Sequence, residues 1–253
     1  MTIFTCQDNF AARMTCIYDA WASKLGHEHV QLRIEPIEQL EFFVDYVHVE
    51  ADEDKTEKVV RTVQREISME AYVWMYYASL SAEEDALDTT YRFLVKAFRY
   101  GSKICQMLQD DTVMRMMEIK RLVGNEAHSF REFARFTSYG DMAYIAHIEP
   151  KANVILYVAQ HFRDRMPSEN FVIIDDNRRL AAVHPKNEPC YLKELDEEEI
   201  SRITQAEEVS SGDPFIAYWK EYFRSIAIKE RTNPVCQRNH FPLWMRRHVT
   251  EFV

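Results

Sequence analysis

The chain has 253 residues, 47% of them hydrophobic and 13% aromatic, with only five Gly and eight Pro, which is enough apolar surface for a core and excludes an intrinsically disordered chain. Its formal charge is −10, so indiscriminate nucleic-acid binding is disfavoured unless a locally basic face overcomes the repulsion.

The predicted elements begin with a short strand over Ile3 to Thr5, after which Asp8 can cap a helix to Lys24 carrying Phe10, Met14, Ile17 and Trp21 on one face. Two extended stretches follow, His29 to Ile34 and Phe42 to Val49, the second rich in aromatic and β-branched residues. The acidic turn at Asp52, Glu53 and Asp54 suits the start of a helix reaching Ile67. Met69 to Leu80 reads as an aromatic helix for the core, and Ser81 with Glu84 forms a capping-box pattern for a helix ending near Gly101. Asp111 opens another, with Val113, Met116, Met117, Ile119, Val123 and Ala127 inward.

After Phe133 the character changes. Gly140-Asp141 sits between extended runs as a hairpin turn, a helix follows with Val154, Ile155, Val158, Ala159 and Phe162 on one face, and a second hairpin turns at Asp176-Asn177. Hairpin, helix, hairpin predicts a small antiparallel sheet with a helix packed on it. An acidic segment around Leu195 to Glu208 reads as a surface helix or connector. Asp213 and Pro214 then start a closing helix expected to bury Phe215, Ile216, Trp219, Phe223 and Ile226, with Asn233-Pro234 ending it. The fold class expected is α+β: one compact domain over 1–253, with a mainly helical part, 1–132, and a part with the sheet, final helix and basic tail, 133–253.

Five cysteines, Cys6, Cys16, Cys105, Cys190 and Cys236, are scattered and never spaced as C-x-x-C, which disfavours a disulfide framework and local metal pairs. The opening residues show no basic region before an apolar run, and no stretch approaches the roughly 20 apolar residues of a membrane span. A cytoplasmic protein away from membranes is expected.

His147 and Glu149 in "HIEP", with Pro189-Cys190 further on, resemble half of a zinc-deaminase signature. The second cysteine position is Lys193, and His147 lies on a predicted strand where that motif needs a helix, so no metal or other cofactor is expected. His27 and His29 read as a surface pair, and phosphate-cradling glycine loops and nucleophile elbows are missing. Donors and carboxylates gather instead in Glu126, His128, Arg135, His161, Arg165, Asp175, Asp176 and Arg178. Such a set can bind phosphate or form a structural ion-pair network. If the chain is an enzyme, Asp175 or Glu126 is the candidate general base and His161 the acid.

The charge is uneven. Between Ile216 and Thr250, seven cations (Lys220, Arg224, Lys229, Arg231, Arg238, Arg246 and Arg247) stand against Glu221 and Glu230, giving this stretch +5 and the remainder −15. Lys220, Arg224, Lys229, Arg231, Asn233, Gln237, Arg238 and His240 are the candidate nucleic-acid-binding residues, the cations for phosphates and the amides and imidazole for base edges or sugar. The bland alternative pairs the arginines with the chain's carboxylates.

The runs "HFRDRM", "FVIIDDNRRLAAV" and "YFRSIAIKERTNPVCQRNHFP" resemble the domain of unknown function 4130 family, as do "ISMEAYVWMYYASLS", "YRFLVKAF", "VGNEAHSFREFARF" and "IEPKANVILYVAQHF". Positions fitting the family pattern are Glu126, His128, Arg135, Phe136, His161, Phe162, Arg165, Asp175, Arg178, Asn233, Pro234, Gln237 and Pro242; after Pro242 the sequence departs from it. The resemblance implies DNA metabolism or repair beside a radical-SAM protein, with related domains fused to uracil-DNA-glycosylase-like modules, and it supplies no catalytic assignment. The expected function is that of a DNA-binding accessory protein with a radical-SAM partner. The alternatives are a DNA glycosylase, lyase or nuclease, and an adaptor that binds only protein.

Overall fold

In the computed structural model, residues 1–37, 39–139, 142–210 and 214–252 are described. The chain divides into two compact units, Met1–Gly124 and Asn125–Val253, with the boundary inside one long helix. Both combine helices with a small sheet, an α+β architecture.

In the first unit, strand β1 (Thr2–Cys6) lies between β2 (Val30–Ile34) and β3 (Asp45–Val49), parallel to both. Helix α1 (Phe10–Ala22) makes the crossover that parallel pairing requires. Its cap is Asn9, whose Oδ1 accepts from Ala12 N at 2.8 Å, and not the expected Asp8. Asp8 accepts instead from Arg13, a guanidinium 1% exposed that also donates to Ala78 O at 3.1 Å and Ser81 O at 3.0 Å. His27–His29 forms a 3-10 turn, so these imidazoles are not strand neighbours; His27 Nδ1 lies 2.8 Å from the Tyr91 hydroxyl.

Helices α2 (Glu53–Thr62) and α3 (Met69–Ser79) follow, α2 running into a π-helical turn over Val63–Ile67. The capping box expected at Ser81 does not form: Ser81 Oγ accepts from Glu83 N at 3.1 Å within a turn, and α4 (Ala86–Tyr100) begins later. α4 buries Tyr91, Phe93, Leu94 and Ala97, each large apolar side chain contributing about 1.5–3 kcal/mol. Helix α5 (Asp111–Phe133) starts where Asp110 Oδ1 accepts from Thr112 N at 2.9 Å and Lys96 Nζ closes on the same carboxylate at 2.6 Å.

In the second unit the sheet has the order β4 (Thr137–Tyr139), β5 (Ala143–Ile148), β6 (Phe171–Asp175), β7 (Leu180–His184), β8 (Tyr191–Glu194). The expected hairpins are present, although the first one's turn at Gly140-Asp141 lies outside the described residues. The sheet is not antiparallel throughout: β5 and β6 run parallel, because helix α6 (Ile155–Arg165) returns the chain to the starting end before β6 begins. Helix α7 (Glu197–Ser210) occupies the acidic segment, and Leu195 and Ile203 pack against Ile145, Ile174 and Ala181.

Helix α8 (Pro214–Ser225) overturns a sequence expectation; its proposed cap Asp213 lies outside the described residues. The face expected to be buried is largely open: Phe215 is 72% exposed, Ile226 54% and Trp219 38%. Trp219 and Phe223 tie the helix to the segment around Glu251. Trp219 Nε1 donates to Glu251 at 2.9 Å, and the Phe223 ring lies 5.8 Å from that of Phe252. Asn233 does not end this helix but caps another, α9 (Pro234–His240), accepting from Cys236 N at 3.0 Å. Among the described residues no helix is long and apolar enough to cross a membrane.

Candidate functional site

The parallel pairing in the second unit has a chemical consequence, since it sets the C-terminal ends of β5 and β6 side by side, with Ile148 opposite Asp175. In sheets of this kind, residues just beyond adjacent parallel strand ends are the ones free to converge on a ligand. Here they are Glu149 after β5 and Asp176 after β6, whose N–H donates to Ile148 O at 3.1 Å, joined by His147 from the last residues of β5, next to the buried Ile148.

The tail of the chain supplies the remaining groups. A 3-10 turn at Leu243–Arg246 and the buried Met245 and Val249 fix the backbone around His248. His248 Nε2 lies 2.9 Å from Glu149 Oε1 and 3.3 Å from Asp176 Oδ2. His147 Nδ1 lies 2.9 Å from Asp176 Oδ1, and the two imidazoles are 5.5 Å apart, centre to centre. Arg247 pairs with the other oxygen of Glu149. Burial alone would raise the Glu149 carboxyl, but hydrogen bonds and charge from Arg247 and His248 outweigh it and hold that carboxyl below its ordinary value. His147, Glu149 and His248 also line a small cavity walled by Phe130, Phe133 and Trp244.

Of the three catalytic candidates drawn from sequence, two hold the loop that follows β5. Glu126 on α5 accepts from Lys151 N at 2.6 Å and Ala152 N at 3.0 Å. Arg178 donates to Pro150 O at 2.9 Å and to Asp175 Oδ2 at 3.0 Å, and Asn177 Nδ2 reaches Pro150 O at 3.1 Å. Asp175 is fully buried. Burial pushes both Glu126 and Asp175 upward from ordinary carboxylate values, against the backbone N–H groups on the first and Arg178 on the second. The third, His161, lies on α6, its protonation disfavoured by burial and then by Arg131 and Arg165. His128 pairs along α5 with Glu132 at 3.2 Å, and Arg165 is exposed. Arg135 pairs with Glu251 at 2.6 Å and lies over the Trp219 ring at 5.5 Å.

The basic segment shows a different geometry. Arg224, Lys229, Arg231, Asn233, Gln237, Arg238 and His240 are all exposed, and Lys220 is half-buried. Asn233 spends its side-chain oxygen on the α9 cap, and Gln237 lies 3.5 Å from Arg246. Arg246 itself turns inward, donating to Phe241 O at 2.7 Å with its guanidinium over the Phe252 ring. The tail cations Arg246 and Arg247 are therefore committed to the protein, whereas Arg224, Lys229, Arg231 and Arg238 pair with no carboxylate among the described residues.

Sequence reading singled out His147, Glu149 and Asp176 without joining them, and it missed His248. The separation of 99 residues between His248 and Glu149 carries no local signal.

The fold and this cluster describe a mixed α+β chain with a compact imidazole–carboxylate centre in its second unit. A family model described as a domain of unknown function, DUF4130, matches residues 84–251, and the chain belongs to that family. No curated protein and no solved structure matches it.

Proposed function

We propose that this chain is a cytoplasmic nucleic-acid-binding accessory protein in bacterial DNA repair or DNA modification, acting with a radical-SAM partner. The observation that carries the nucleic-acid reading is the segment 215–240, in which Arg224, Lys229, Arg231 and Arg238 and the aromatic Phe215, Tyr218 and Tyr222 are all exposed. Cations without carboxylate partners attract phosphates, and exposed aromatic faces accept unpaired bases at about 1–3 kcal/mol per stacked base. Single-stranded nucleic acid is therefore the favoured ligand. The repair setting and the radical-SAM partner rest on the family resemblance.

The test is oligonucleotide binding by the double variant R231E/R238E. Both side chains are exposed, so folding is expected to survive while binding is lost; native affinity should fall with salt, log K dropping about 0.7–0.9 per phosphate contact per decade. Unchanged binding in the double variant overturns the reading, and tight protein-partner binding without oligonucleotide binding supports the adaptor instead.

A DNA-processing enzyme is the second reading, and the cluster of His147, Glu149, Asp176 and His248 favours it. On that reading acid–base chemistry belongs to this cluster, since Glu126 and Asp175 are engaged with the loop at 150–152 and its neighbours.

A further inference from the structure

We infer that Glu149, Asp176 and His248, supported by His147, bind a divalent first-row transition ion of the Zn2+ or Mn2+ kind. One ligand atom from each of the first three lies within 4.8 Å of the others, a spacing that one ion can span after small side-chain adjustments. The inference deepens the enzymatic reading without needing it, because an ion can be measured with no nucleic acid present. It departs from the expectation drawn from motif spacing, which looked for ligands near one another in sequence.

Donor chemistry sets the class of ion. One imidazole nitrogen with two carboxylates suits Zn2+ or Mn2+ better than a purely oxygen-seeking ion such as Ca2+. Three protein ligands leave at least one position for water or a phosphate oxygen. His147 Nδ1 within 3.0 Å of both Asp176 oxygens is the contact by which an imidazole orients a ligating carboxylate. Asp176 and His248 side chains are each 33% exposed and Glu149 17%, so an ion can enter without the fold opening. His248 Nε2 is within reach of both carboxylates, and a cation bound between them takes the place of its N–H.

Arg247 separates this inference from a plain ion-pair network. Its side chain is 70% exposed and pairs with Glu149, so it competes with a metal for that carboxylate. Its removal should strengthen metal binding. In a plain network the same change only deletes an exposed ion pair.

The experiment titrates the full chain, stripped with chelator, with Zn2+ and separately with Mn2+ by calorimetry, in wild type, E149Q, H248Q and R247A. Circular dichroism checks each variant's fold. About one equivalent should bind wild type, roughly tenfold more weakly in E149Q and H248Q, and several-fold more tightly in R247A. Wild type that binds neither ion saturably, or R247A with unchanged or weaker affinity, overturns the inference, as does unaltered binding in E149Q. Because Arg247 is exposed, R247A carries the test even if the other variants fail to fold.

Discussion

Asp175 and Arg178 form an ion pair at 3.0 Å in which the carboxylate is fully buried while the guanidinium remains 27% exposed. Arg178 also donates to the carbonyls of Pro150 and Lys151, so Asp175 holds the loop beyond β5 through it. The carboxylate is a positioning group. Asp175→Asn should therefore cost roughly 1.5–3 kcal/mol, the range for a hydrogen bond to a charged partner, read as a lower urea midpoint. Unchanged stability in that variant would show that the loop does not depend on this pair.

Glu126 gives a pH prediction with a definite sign. Burial raises its folded-state value above 4.5, and the N–H groups of Ala152 and Lys151 offset this only in part. A carboxyl raised on folding favours the native state fully below the unfolded value and loses that contribution as pH rises through the folded one. The stability of wild type relative to Glu126→Gln should therefore shrink as pH rises from about 4 towards neutrality. Urea melts across that range measure it; a gap that widens with pH would reverse the assignment.

Thiol chemistry provides a third prediction. Cys6, Cys16 and Cys105 are buried and Cys190 is half-buried, whereas Cys236 is exposed on α9 amid the basic segment. Burial raises the Cys105 thiol to about 12 and also raises Cys190, which leaves little reactive thiolate at either. A native chain treated with a chromogenic disulfide should show one fast-reacting thiol, removed by Cys236→Ser and slowed by saturating single-stranded oligonucleotide. A fast phase that persists in Cys236→Ser contradicts the burial pattern, and one indifferent to oligonucleotide speaks against ligand covering α9.

Periodicity made most of the elements legible. The inward faces of α5, with Val113, Met116, Ile119, Val123 and Ala127, and of α6, with Ile155, Val158 and Ala159, follow from helical spacing. What spacing could not supply was partnership. A stripe of Phe215, Trp219, Phe223 and Ile226 on α8 looks the same whether or not another element covers it, and here Trp219 and Phe223 meet Glu251 and Phe252 while Phe215 stays 72% exposed. The parallel pairing of β5 with β6 is a tertiary fact that two neighbouring hairpins do not announce. The carboxylates were found as residue types, yet the separation of Asp175, buried in the scaffold, from its neighbour Asp176 in the open cluster depends on which way each points past the strand end.

Two of the chain's four tryptophans are placed to make it report on itself optically. Trp244 lines the cavity shared by His147, Glu149 and His248, with the Lys151 ammonium 5.2 Å from its ring centre. Trp219 stands on α8 between Arg135 and the exposed Tyr222. Emission from the first should respond to a cation, and from the second to bases stacking along the helix. Replacing one indole at a time with Phe would split a single fluorescence trace into two channels, so occupancy of either surface could be followed without attaching a dye.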